Sequence, residues 1–198
     1  GVLQSRGDRA GASAVLEGVN GPKSSLERAY LLLADGAIEE GRSALLLALT
    51  GLPPSDATSV IQFAGLLGRL SAPGAEALAN AGVKAHHGWH GEAALELAEA
   101  ANTIEDTEAP VVLAEAARLA MDGEEDAIAA DIRGVLIDQY PEAAEVAEAS
   151  LALARYRART PRGTDEAIRL LEDLIANRPN AAVVPDARVE LQRLRGRS

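Results

Sequence analysis

Along most of the chain, apolar positions recur every three or four residues, and the runs are broken by Gly, by Pro or by clusters of acids. That is the period of a helix with one buried face, not the alternation of a strand. Reading caps and breakers as boundaries predicts helices over 8–18, 24–35, 37–50, 56–70, 74–87, 91–102, 109–121, 124–139, 142–158, 164–177 and 184–195. The clearest is 164–177, where Thr164 stands as the expected cap and Asp165 and Glu166 occupy the positive first turn. Ile168, Leu171, Leu174 and Ile175 then share one face, and Pro179 prevents continuation. Pro185 suits the first turn of the last helix, whose Val189, Leu191 and Leu194 are expected to seal the end of the stack. The stretch 51–58, GLPPSDAT, is the plainest internal loop. It is too short for a flexible linker, so 1–198 reads as one domain, with 1–52 and 53–198 as possible subarrays.

Two segments repeat. GEEDAIAADIRGVLIDQYPEA (123–143) and GTDEAIRLLEDLIANRPNA (163–181) each run from Gly through acids and Ala-Ile into an apolar-striped helix that stops at Pro. Each follows another helical segment, so a helix-turn-helix unit has been copied, which is the signature of an α-solenoid. The unit resembles the tetratricopeptide repeat, whose second helix carries Ala, a large apolar residue four later, and a closing Pro. Ala167, Leu171 and Pro179 fall on those offsets, with Leu174 where a small residue is usual. Gly82, Ala94, Ala98 and Ala101 fit an earlier unit that lacks the Pro, and 7–19 and 36–49 look like further second helices. The spacings are longer than the family's: Gly123 to Gly163 is 40 residues and Pro141 to Pro179 is 38, against about 34. Sel1-like or HEAT-like stacking stays open, and 56–70 fits no pair.

The resemblance implies an all-α fold, a right-handed α-solenoid of 10 to 11 antiparallel helices. Its concave groove would be lined by first helices of each pair, here 74–87, 109–121 and 142–158. The tail RLLEDLIANRPNAAVVPDARVELQRLRG is similar to the ends of tetratricopeptide arrays in bacterial envelope proteins. That similarity implies a periplasmic or envelope-associated scaffold, an extrinsic subunit or assembly factor of a membrane complex, with one or more protein partners. A regulatory or substrate-recruiting module of a larger cytoplasmic enzyme or sensor is the alternative.

Composition narrows the chemistry. The chain is 47% hydrophobic but only 3% aromatic, so its core is built from Ala and Leu, the best helix formers. With no Cys there is neither a disulfide nor a thiolate ligand. No run of eighteen apolar residues occurs; the densest stretch is interrupted by Asp35, Glu39, Glu40 and Arg42, so no transmembrane segment is expected. The sequence begins at Gly1 without Met, and an upstream segment is expected.

Charge is unevenly spread. Residues 92–148 hold 16 acids against Arg118 and Arg133, a net of −14, whereas 149–198 hold 10 Arg against 6 acids, a net of +4. The acidic middle is either a solvated face or a surface for a basic partner. Arg155 and Arg159 lie four apart with Arg162 in the next loop; they form either a forked site for a carboxylate or phosphate, or salt bridges to Asp165 or Glu166. With Tyr156 and Trp89 they are the expected partner-binding residues. A net charge of −11 and few aromatics argue against nucleic acid.

Other motifs carry little. In HHGWHGE, with His86, His87, His90 and Glu92, the pair His86 and His90 would share a face as zinc ligands do if the helix ran past Gly88, and two imidazoles and a carboxylate could also converge in the turn; an exposed inter-helix turn, with Trp89 packed onto a neighbouring repeat, is the expectation. GVNGPKSS (18–25) has Pro22 where a phosphate-binding loop needs Gly, and Arg6-Gly7-Asp8 reads as an ordinary turn. No catalytic set, metal site or cofactor site emerges.

Overall fold

Residues 22–196 are described in a computed structural model, and among them are ten α-helices and no strand. In chain order they are α1 (Pro22–Ala34), α2 (Ile38–Ala48), α3 (Pro54–Leu67), α4 (Ala72–His86), α5 (His90–Ala100), α6 (Ala109–Asp122), α7 (Asp126–Gln139), α8 (Val146–Arg157), α9 (Thr164–Asn177) and α10 (Val184–Arg195), with a 3₁₀ turn over Leu49–Gly51. Every helix expected from residue 24 onward is present. The helix expected over 8–18, the tripeptide 6–8 and positions 18–21 of GVNGPKSS lie outside the described residues.

Three details differ from expectation, each for a local reason. Thr164 is the first helical residue of α9 rather than its cap; Gly163 takes the capping position and no side chain caps the helix. The segment 142–145 is turn, not helix: Ala143 N–H bonds to Tyr140 O (2.9 Å) and Val146 N–H to Ala143 O (3.3 Å) before α8 starts. Val189 points out, 68% exposed, because the buried stripe of α10 runs Val184, Ala187, Leu191, Leu194. That stripe keeps the three-or-four spacing that Val189 breaks.

The helices pack as two compact units, divided between Ile104 and Glu105. In the first, α1–α2 and α4–α5 are hairpins, and α1 packs on α4 as well as on α2. Helix α3, the segment without an expected pair, packs on both α2 and α4. Its buried Phe63 faces Tyr30, ring centroids 6.2 Å apart, and lies on Gly82 of α4. A Cβ at position 82 would sit 2.2 Å from Phe63 Cζ, so only Gly permits this approach. Leu33, Leu45, Leu67, Leu78 and Leu97 are fully buried in this unit, each contributing about 2 kcal/mol of transfer free energy.

The second unit is periodic. Helices α7 and α9 are 14 residues each and start 38 apart; α8 and α10 are 12 residues each and also start 38 apart. The connections match too: Arg178 and Tyr140 end their helices at φ −133° and −127°, and Ala181 N–H bonds to Arg178 O (3.0 Å) as Ala143 does to Tyr140. Residues of the same register share burial, as with Ala129 and Ala167, Leu136 and Leu174, Ala149 and Ala187, Leu153 and Leu191. Each of α6 to α10 packs on the next.

The 40-residue Gly123–Gly163 spacing is therefore not the repeat. The residues that turn the chain between α6 and α7 and between α8 and α9 with positive φ are Glu124 (61°) and Arg162 (66°), which are 38 apart. In the first unit the corresponding left-handed residues are Gly36 (79°) and Gly88 (87°), where the missing Cβ makes the conformation easy. The closing hydrogen bond recurs at three of these turns: Ala37 N–H to Leu32 O (3.0 Å), Trp89 N–H to Lys84 O (3.1 Å) and Glu125 N–H to Ala120 O (2.9 Å).

Candidate functional site

Within the second unit an open groove of about 450 Å³ is lined by Met121 at the end of α6, Asp126 and Arg133 of α7, Ala152, Arg155 and Tyr156 of α8, Arg159 just beyond it, and Glu190 and Arg193 of α10. The 38-residue register explains how these residues meet. Arg155 and Arg193 occupy the same position of successive first helices, as do Ala152 and Glu190, and Arg159, in the turn after α8, falls in the register of Met121 at the end of α6. The groove thus runs along one face of the repeat.

Of the expected partner-binding residues, Arg155, Tyr156 and Arg159 come together here, while Arg162 and Trp89 do not. Helix α8 ends at Arg157, so Arg159 sits in the following turn rather than on the helix face. The expected pairing with Asp165 or Glu166 also changes hands. Arg155 meets Asp186 of α10 (3.4 Å) and Arg159 meets Asp126 of α7 (3.1 Å). It is Arg157, on the other side of α8, whose Nε lies 3.1 Å from Glu166. Arg162 is exposed in its left-handed turn.

Trp89 belongs to the first unit and is 54% exposed, not packed onto a neighbouring repeat; its ring lies 5.9 Å from that of His87. Gly88 ends α4 there. His86 stacks on Tyr30 with centroids 4.0 Å apart, and its Nε2 lies 3.1 Å from Glu27 Oε1. Burial lowers its pKa, and the Glu27 carboxylate offsets part of that. Among the described residues no group of three or more His, Asp or Glu is placed to hold a metal.

Two basic residues of the acidic middle behave in opposite ways. Arg118 is satisfied: its Nε bonds to Glu115 (2.8 Å) and its other nitrogens reach Glu115 and Asp122, which raise its pKa. Arg133 is half-buried and makes no hydrogen bond or ion pair with any described residue. Its pKa is lowered by burial, with the Asp126 carboxylate compensating in part.

Arg133 and Arg193 were not foreseen from the sequence. The signal was the register itself: position 133 corresponds to 171, where a Leu is fully buried. Four guanidiniums face the lining carboxylates of Asp126 and Glu190 and, at Arg155, the neighbouring Asp186, leaving a local surplus of one positive charge in a chain of net −11.

No protein-family model matches the sequence, and comparisons with curated proteins and with solved structures find no match. No described helix is long and apolar enough to cross a membrane.

Proposed function

We propose that this chain is a non-catalytic protein-interaction scaffold built from tetratricopeptide-like helical hairpins, acting on the periplasmic side of a bacterial membrane complex as an extrinsic subunit or assembly factor. The observation that carries the reading is the groove assembled from equivalent positions of successive first helices, because repeat proteins bind partners on surfaces their period generates. Its lining offers guanidinium donors and a phenol, which is recognition chemistry. The envelope location rests on the resemblance of the tail from Arg169 onward to the ends of envelope-protein arrays. Here the groove holds a segment of the partner, and the contrast between 92–148 and 149–198 orients the encounter.

The test is affinity capture of the tagged protein from gently solubilised native membranes, followed by mass spectrometry. Stoichiometric recovery of integral membrane proteins is the expected result. Recovery of soluble proteins alone would overturn the location, and recovery of none would count against the scaffold role.

A further inference from the structure

We propose that the groove between α7, α8 and α10 receives an acidic polypeptide segment, reading its side-chain carboxylates through Arg133, Arg155, Arg159 and Arg193. This deepens the scaffold reading and rests on it.

Arg133 is the starting point. In the 38-residue register it takes the place of Leu171, a position built for a buried apolar side chain. A guanidinium half-withdrawn from water, with only the Asp126 carboxylate acting on it at a distance and no described acid in direct contact, is unfavourable, and a residue of that cost where the next repeat carries Leu171 marks a functional position. A ligand carboxylate would supply the missing partner. The other three guanidiniums are already paired, two of them loosely. Arg155 and Arg159 hold single carboxylates at 3.4 and 3.1 Å with both members of each pair solvent-accessible, whereas Arg193 grips its mostly buried helix neighbour Glu190 through two nitrogens. Exposed pairs like the first two are worth little, so an incoming acid can exchange with them, while Arg193 adds its charge to the face without releasing Glu190.

The class of ligand follows from the arrangement. The positive surplus is spread along a face that links equivalent positions of α8 and α10, with Arg155 and Arg193 as successive rungs. Charges laid out in a row suit successive carboxylates on a chain better than one compact anion. Half-buried Tyr156 offers the aliphatic stem of a Glu an apolar surface. Asp126 and Glu190, standing in the same lining, oppose a densely charged polymer such as nucleic acid. The net charge of −11 does not veto binding, since exposed charges beyond about 8 Å are screened at physiological salt.

The experiment titrates the 198-residue chain into a fluorescently labelled hexaglutamate peptide, amidated at its C-terminus so that only side-chain carboxylates are read, and follows anisotropy. Saturable one-to-one binding is expected. Arg133→Leu, which installs the repeat's own residue, should weaken it roughly tenfold or more while leaving the thermal midpoint equal or higher. Arg155→Gln, a change at an exposed site, should weaken it as well. No saturable binding by the wild type, or equal affinity in a folded Arg133→Leu variant, overturns the proposal. Displacement of the peptide by inorganic phosphate but not by chloride of equal ionic strength would also overturn it, showing a site for a compact oxyanion. The two readings fail separately. A partner captured equally by wild type and Arg133→Leu would refute the groove and leave the scaffold; peptide binding without any captured partner would do the reverse.

Discussion

At the scale of single residues, Gly82 and His86 show how little space decides an outcome. Gly82→Ala puts a methyl 2.2 Å from the Phe63 ring, which is held by Tyr30 and its own burial and has no easy way to retreat. The expected loss is about 1–3 kcal/mol, read as a lower midpoint in chemical denaturation; an unchanged midpoint would mean that the ring moves freely. His86 is a pH-dependent element of the same unit. Its folded-state pKa lies below the ordinary value of about 6.5, so the unfolded chain takes up the proton first as the medium is acidified. Its contribution to stability is therefore whole above that ordinary value and is lost as pH falls from there through the lowered one. The gap in thermal midpoint between wild type and His86→Gln should narrow between about pH 7.5 and 5. A widening gap would show that attraction to Glu27 outweighs desolvation.

Between residues and the whole lie the helices and their turns. Helix placement was legible because the three-or-four apolar period, Pro near the first turn of α3, α4, α6 and α10, and acids in opening turns all act within one element. Turn identity was less legible. Among the described residues, two of the four left-handed positions carry Glu124 and Arg162 instead of Gly, so glycine spacing pointed to 40 residues when the backbone repeats at 38. Those residues hold a conformation that costs a side chain about 1–2 kcal/mol. Glu124→Gly should accordingly raise stability by about 0.5–1 kcal/mol, measurable as a higher denaturation midpoint; a decrease would mean that the Glu side chain holds the turn. The groove was half legible. Arg155, Tyr156 and Arg159 stood out as a local cluster, whereas Arg133 and Arg193 join them only when distant segments are aligned by the true period.

Over the whole molecule, charge segregation sets the response to solvent. Residues 92–148 carry 16 acids and two Arg, one of which, Arg133, pairs with none of the described acids. Mutual repulsion there is long-ranged at low salt and weakens as the screening length shrinks from about 30 Å at 0.01 M to 10 Å at 0.1 M. The thermal midpoint should therefore rise with sodium chloride over that range, and a fall would show that surface ion pairs outweigh the repulsion. The strict register of the second unit bears on how such a chain can grow. Because Asp126 and Thr164 open equivalent helices, residues 126–163 form a cassette whose two ends are interchangeable. Splicing in another copy after Gly163 would present only junctions the chain already uses. Each added copy would lengthen the array by one hairpin and repeat Arg133, Arg155 and Arg159 once more, so a single duplication event enlarges the protein and the arginine-bearing face together.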